Sequence, residues 1–314
     1  MRKEESKLRK ALHFLITIVC IGCAVVGLTY ALMPKIPDFY REDYYDAVFF
    51  GTSHCYCSFN PAVFDEYELK TYNLGRAQQP IEYTYYMMKD ALENSEIDVV
   101  VLEVYAFIYS DWAEMHESVG IRDTALGSMR NTGTKYDAIR ELVPEEQQLA
   151  YLFPLDKYHT NWENWEYTSV RGLWNSVTNR YYTEESDRGY YGWEGSKTMD
   201  LLPPEALLAE TEYDVWEQNW DYMNRIKELC EEHGTTLILV KSPTPMFPGA
   251  IEVCRSMEHW AADNDVDMIN FTLLLDEIGF DQSTDSWDGG EHLNKSGAEK
   301  VSRYLAEYIL EQRE

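Results

Sequence analysis

Two short segments carry residue types that together could activate a serine. Gly51-Thr52-Ser53-His54 directly follows the apolar run Ala47-Val48-Phe49-Phe50. Asp288-Gly-Gly-Glu-His292-Leu293-Asn294 lies near the C-terminus, directly before a helix-forming stretch. A serine hydroxyl is a weak nucleophile at its own pKa and needs a neighbouring base. Histidine can supply that base, and a carboxylate on its other ring nitrogen fixes the tautomer. Asp288 is the candidate acid, with Asp285 and Glu291 close by. Each segment has a plainer reading by itself: Ser53 as a turn residue, His292 as a surface histidine beside a capping Asn294. Their order, and the elements on which they sit, favour chemistry.

Those elements follow from hydrophobic patterning. Asp46 to Phe50 reads as a short buried parallel strand that Gly51 ends. Ser53 therefore sits on a strand-to-helix turn, near backbone N–H groups that favour developing negative charge. A short helix is expected over 58–67 with Pro61 in its first turn, a brief strand over 71–75, and a helix from Pro80 to Asn94. Ile97 to Val104, all but one residue apolar after Asp98, is the clearest buried strand. Further on, the pattern predicts a helix from Pro204 to His233 closed by Gly234, a strand over 235–241, a helix over 248–263, a strand over 266–271 and a last helix over 295–312 capped by Asn294. Strands alternating with helices imply an α/β fold with a mostly parallel, helix-covered sheet. Residues 107–200 break the alternation. They read as a largely irregular insertion or lid over the carboxyl edge of the sheet, with helical patches near 135–142 and 145–153.

The first 35 residues stand apart from this domain, taken as 36–314. Residues 11–32 form an apolar stretch with only His13 to interrupt it, long enough to span a bilayer. Arg2, Lys3, Lys7, Arg9 and Lys10 precede it, and the chain beyond it soon becomes acidic. The excess of basic residues places a short cytoplasmic tail (1–10) inside, an anchor over 11–33, and the rest outside the cell membrane. A cleaved signal peptide is the alternative, but its apolar core is usually shorter and Leu32-Met33-Pro34-Lys35 makes a poor cleavage site.

The formal charge of −28 argues against a nucleic-acid partner, since phosphate binding needs clustered Lys and Arg. The plain reading of this acidity is a solvated surface. The 24 Tyr and 9 Trp are read either as a large core or as platforms on which sugar rings stack. Six cysteines give no zinc-ribbon spacing, and no metal or organic cofactor is expected. Cys230 and Cys254 are read as two buried thiols, with a bridge between them as the alternative.

Taken together, Gly51-Thr-Ser53-His54, Asn73-Leu-Gly75 and His292-Leu-Asn294 followed by Ser296-Gly297-Ala298 resemble the sequence blocks of the SGNH (GDSL-like) hydrolase superfamily. The likeness is to its membrane-anchored Gly-x-Ser-His branch of cell-envelope acyl esterases and O-acyltransferases, and it covers 46–105 and 204–312. It implies a flavodoxin-like sheet and serine acyl transfer. Ser53 would be the nucleophile, His292 the base, Asp288 the acid, and the N–H groups of Ser53 and Gly75 the oxyanion donors. An acylated glycan or envelope polymer would be the substrate, and a membrane acyltransferase a partner. Two departures stand out. Where the family offers an asparagine as a further oxyanion donor, this strand ends Leu102-Glu103-Val104-Tyr105. An ionised carboxylate cannot donate. The family's acid usually stands three residues before the histidine, which here is Gly289; Asp288 stands four before. These departures sustain a second reading, a non-catalytic binding or assembly factor on the same fold. His54, Glu103 and Lys241 are candidate substrate contacts, each with a plainer structural reading. Tyr158, His159, Trp162 and Trp165 could line an acceptor groove or pack the insertion.

Overall fold

The structure, a computed structural model, describes residues 2–31, 35–108, 118–153, 157, 169–180, 182–183, 186–202, 217–245 and 248–313. The chain divides into two compact units. One comprises Met1–Ile36 and Arg130–Thr183, the other Pro37–Met129 and Glu184–Glu314. The first unit holds the helices Arg2–Ala31, Gly133–Leu142, Glu145–Leu152 and Val170–Val177. Within Arg2–Ala31, the stretch Ser6–Val25 is long and apolar enough to cross a membrane, with a mean hydropathy of 1.8 and nothing burying it. The helical patches read from the sequence thus stand at 133–142 and 145–152, and the stretch read as irregular also contains the helices 119–127 and 170–177.

The second unit is the α/β domain. Its five strands are β1 (Tyr44–Phe50), β2 (Thr71–Asn73), β3 (Glu96–Glu103), β4 (Thr236–Lys241) and β5 (Asp267–Asn270). All pair in parallel, in the order β2-β1-β3-β4-β5. That is the flavodoxin-like order, which places ligands beyond the carboxyl ends of the strands at the switch between β1 and β3. Helices are α1 (Ser53–Ser58), α2 (Pro61–Asp65), α3 (Ile81–Leu92), α4 (Val119–Gly127), α5 (Glu217–His233), α6 (Pro248–Asp263) and α7 (Lys295–Glu311).

Side chains alternate across the sheet, so one face takes every second residue. Ala47, Phe49, Val99, Val101, Ile238, Val240 and Ile269 share a buried cluster with Val301, Leu305 and Ile309 of α7 and with Phe59, Phe64 and Leu69. Register then fixes the functional edge. Phe50 pairs with Leu102, Glu103 with Val240, and Lys241 with Asn270. The ends of β1, β3 and β4 therefore lie side by side, bringing Gly51, Glu103 and Lys241 to one rim.

One expected helix is two. Instead of a single helix over 58–67, α1 starts on Ser53 itself and stops at Ser58. Asn60 then caps α2, accepting from the Ala62 N–H at 3.1 Å, with Pro61 as its first residue. A proline needs no N–H partner at that position but would break an established helix. The helix predicted from Pro204 is described from Glu217; residues 203–216 lie outside the described residues. Gly234 ends it at φ +68°, a conformation that side chains with a Cβ disfavour. Cys55, Cys57, Cys230 and Cys254 are all free buried thiols, so the alternative of a Cys230–Cys254 bridge is not realised.

Candidate active site

The turn after β1 is tightly built. Gly51 sits at φ +146°, and a Cβ there would meet the Glu103 carbonyl oxygen at 2.9 Å and the Cys55 Cβ at 3.1 Å. Only glycine fits this approach of two strand ends. Thr52 is the N-cap of α1, its hydroxyl accepting from the His54 N–H at 3.3 Å. Ser53 is therefore the first helical residue, half-buried, with an N–H that has no intrahelical acceptor.

The opposing loop is held from two sides. Asn294 caps α7, accepting from the Ser296 and Gly297 N–H groups at 3.0 and 3.1 Å, while its amide donates to the Thr284 carbonyl. Ser302 of α7 accepts from the Asn60 N–H at 2.9 Å and donates to the Ser58 carbonyl at 3.1 Å, docking α7 on the end of α1. The result brings together residues 239 positions apart: His292 Nε2 lies 2.9 Å from Ser53 Oγ. On its other side His292 Nδ1 lies 2.7 Å from Asp288 Oδ2. With the Asp288 carboxylate accepting there, Nδ1 carries the proton and Nε2 is left to accept from the Ser53 hydroxyl.

The displaced acid is accommodated by the loop. Gly289 adopts φ +73°, which turns the chain back on itself. Asp288 Oδ1 then accepts from the N–H groups of Gly290, Glu291 and His292 at 2.9, 3.1 and 3.2 Å. One carboxylate oxygen organises the loop while the other faces the imidazole. Burial pushes the Asp288 carboxyl up, but the His292 ring and these N–H groups outweigh it and hold the group below its ordinary value. Asp285, the alternative acid, is elsewhere engaged. It is fully buried, accepts from the Asp281 N–H at 2.7 Å and the Ser296 hydroxyl at 2.7 Å, and pairs with Lys300 at 2.6 Å. It clamps the loop to α7 and does not meet His292.

Of the expected oxyanion donors, Ser53 offers its N–H at the start of α1. Gly75 departs from expectation: its N–H donates to Asn73 Oδ1 at 3.0 Å. Asn73 is a clip, its amide also donating to the carbonyls of Cys55 and Phe59, both at 3.0 Å. Gly75 itself is a close-approach glycine, since a Cβ would meet Thr52 O and the Cys55 Cβ at 3.0 Å.

His54, Glu103 and Lys241, read as candidate substrate contacts, are 2 %, 0 % and 0 % exposed, which leaves them no surface to offer a polymer. They form a polar layer behind Ser53. Glu103 accepts from the Tyr105 and Ser242 N–H groups at 3.1 and 3.3 Å, and burial raises its carboxyl to about 7 despite the nearby Lys241 charge. Lys241 donates to the Ser242 carbonyl and the Thr244 hydroxyl, and burial lowers its pKa against the pull of Glu103. His54 stacks on Tyr105, and its ring lies 5.1 Å from that of His292. Burial first, then the neighbouring Lys241 and His292, hold its pKa well below the ordinary histidine value. The Tyr105 hydroxyl donates to Glu291 at 2.9 Å. Among the described residues, His54, Glu291 and His292 are the one group whose donor atoms could converge on a metal ion, all within 4.8 Å of one another. An ion there would compete with Ser53 for His292.

Two features escaped the sequence. Tyr56 stands three residues after Ser53, hence on nearly the same face of α1, and its hydroxyl neighbours the serine. Burial raises that hydroxyl to about 12, so it remains a donor through the whole working range of pH. The spacing from Ser53 was the available signal. The second is an aromatic wall from 190–193 beside this helix, for which no local pattern gave notice. Tyr158, His159, Trp162 and Trp165 lie outside the described residues.

No family model matches the chain, and no curated protein is significantly similar to it. Among solved structures it is similar to a crystal structure of a "putative acylhydrolase" from Bacteroides fragilis NCTC 9343. The two share 10 % identity with a TM-score of 0.40, over 91 % of this chain and 94 % of that one.

Proposed function

We propose that this chain is a membrane-anchored serine esterase or O-acyltransferase of the SGNH type, acting on acyl esters of a cell-surface glycan or polymer. The observation that carries the reading is the unbroken relay from Ser53 through His292 to Asp288, at 2.9 and 2.7 Å, on the carboxyl edge of a parallel sheet. Ser53 Oγ attacks the acyl carbonyl while His292 Nε2 takes its proton, and Asp288 stabilises the imidazolium so formed. The Ser53 N–H, at the start of α1, faces the developing oxyanion. Collapse expels the alcohol, which takes the proton back from His292. Water or a glycan hydroxyl then gives up its proton to His292 and attacks the acyl-serine, restoring the enzyme. The charge asymmetry around the N-terminal helix favours a cytoplasmic N-terminus and an external α/β domain, where surface polymers are within reach.

One observation favours a second reading. A buried Glu103 stands where the family places a donor, and the Gly75 N–H is already bonded to Asn73. A site short of oxyanion donors suits a non-catalytic assembly factor of an envelope-polymer system. The experiment is labelling of full-length, detergent-solubilised protein with a fluorophosphonate, with p-nitrophenyl acetate turnover alongside, in wild type, Ser53→Ala and His292→Ala. Labelling and turnover abolished by both substitutions are expected. A wild type that neither labels nor turns over would leave the assembly factor as the reading.

A further inference from the structure

A cleft of about 830 Å³ opens beside Tyr56, on the same helix as Ser53. Such a volume lies in the range of roughly 300–1,000 Å³ usual for small-molecule sites. Gly75 and Tyr56 line it, and the Tyr56 hydroxyl neighbours Ser53. Its wall is aromatic and continuous with the catalytic groups. The Tyr56 and Tyr191 rings lie 6.1 Å apart, Tyr191 and Trp193 4.8 Å, and Trp193 stacks on Trp287 at 4.3 Å and 18°. Trp287 in turn lies 6.5 Å from His292. The wall is fixed to the nucleophile helix by the Tyr191 N–H, which donates to the Tyr56 carbonyl at 2.9 Å. Tyr191 is nevertheless 56 % exposed, a large aromatic face turned to solvent on a wall that does not need it for packing.

Polar groups complete the cleft. Asp187 and Glu194 line it, the Glu194 carboxylate accepting from the Lys295 ammonium through one oxygen. Arg76 directs its guanidinium to the Ser128 hydroxyl and the Gly75 carbonyl, each at 3.0 Å. The Tyr190 hydroxyl, on a cleft residue only 4 % exposed, is buried with no hydrogen-bond partner among the described residues. The Trp287 indole N–H is likewise unsatisfied. Buried donors without acceptors cost free energy unless a ligand or water completes them.

We infer that this cleft is a carbohydrate subsite, in which Tyr191 and Trp193 stack on the apolar face of a neutral pyranose ring while Asp187 and Glu194 accept its hydroxyls. Flat C–H faces on aromatic rings, with polar groups at the edge, suit a sugar, and a net charge of −28 over the whole chain disfavours a phosphate-rich one. The inference deepens the acyl-transfer reading, since the ring bound there would carry the ester or the accepting hydroxyl next to Ser53. Binding is measured apart from chemistry, so the two can fail separately.

The test uses the full-length Ser53→Ala protein in detergent, titrated with cellotetraose, chitotetraose and polyglycerol phosphate by calorimetry and by tryptophan fluorescence. At least one neutral tetrasaccharide should bind saturably and perturb the tryptophan emission, with polyglycerol phosphate binding at least about tenfold more weakly. Adding Tyr191→Ala should weaken that tetrasaccharide at least about tenfold. Tyr191 is exposed, so this variant should fold, and an unchanged circular dichroism spectrum checks it; Trp193→Ala is the second variant. Binding that Tyr191→Ala and Trp193→Ala leave intact, preference for polyglycerol phosphate, or absence of tetrasaccharide binding would each overturn the subsite. Fluorophosphonate labelling of the parent with intact Ser53 reports on the acyl-transfer reading independently.

Discussion

Asp288→Asn is the substitution whose outcome the site geometry fixes most closely. An asparagine has one oxygen and one NH2 where the carboxylate had two oxygens. The Oδ1 position faces three backbone N–H groups at 2.9–3.2 Å, and Oδ2 faces His292 Nδ1 at 2.7 Å. Turning the NH2 toward the loop would set donor against three donors, at about 1–3 kcal/mol for each group left unsatisfied. The amide oxygen therefore stays on the loop and the NH2 faces His292. Nδ1 must then accept, which moves the ring proton to Nε2, and Nε2 can no longer take the proton of Ser53. A wrong tautomer in a Ser–His–Asp site lowers kcat about 10⁴-fold, or about 5 kcal/mol in the barrier. The fold should persist, because the loop keeps its three hydrogen bonds. The assay is p-nitrophenyl acetate turnover by the full-length protein, with thermal melting as the control. Asp285→Asn provides the contrast: it removes the buried charge that Lys300 pairs with, so the melting temperature should fall, while the His292 tautomer is untouched. If Asp288→Asn retained activity within about tenfold of wild type, the orienting role of Asp288 would be refuted.

Three further outcomes are expected. Gly51→Ala forces a Cβ to within 2.9 Å of the Glu103 carbonyl at φ +146°, and should cost on the order of 1–3 kcal/mol, read as a lowered urea midpoint. Glu103 binds its proton up to about pH 7 when folded and to about 4.5 when unfolded, so the folded state holds the extra proton between those values. Its stabilising contribution is full below about 4.5 and is lost as pH rises through 7, by up to about 3 kcal/mol; urea melts at pH 5 and pH 8 should show a smaller difference in Glu103→Gln than in wild type. Dithiothreitol should leave the melting temperature unchanged, and Cys55, Cys57, Cys230 and Cys254 should react with a thiol reagent only on denaturation, since all four are free and buried.

The sheet was readable because each strand is a short apolar run ended by a polar or glycine residue, as in Ile97–Glu103. The ends of α6 and α7 were readable because Pro248 and Asn294 mark them chemically. Ser53, His292 and Asp288 were readable as residue types in order on the right elements, and the structure brings them within hydrogen-bond reach. What escaped depends on contacts distant in sequence. Burial of His54, Glu103 and Lys241 follows from the alignment of three strand ends, which no local window contains. The bond from the Gly75 N–H to Asn73 is a property of the folded turn, which residue types alone do not announce. Asp285 and Asp288 are the same residue type three positions apart. Only the pairing of one with Lys300 and the turn at Gly289 assign them different work.

The join between α1 and α7 has a consequence for the newly made chain. Ser53 and His292 are separated by 239 residues, and the docking of Ser302 on Ser58 spans 244. At roughly 5–20 residues per second, the ribosome needs on the order of 10–50 s to reach His292 after making Ser53. Strands β1 to β3 can pair in that interval, but Ser53 still lacks its histidine. A chain cut short before the His292 loop would hold Ser53 without that partner even if its sheet formed. The meeting of Ser53 with His292 waits on the placement of the last helix.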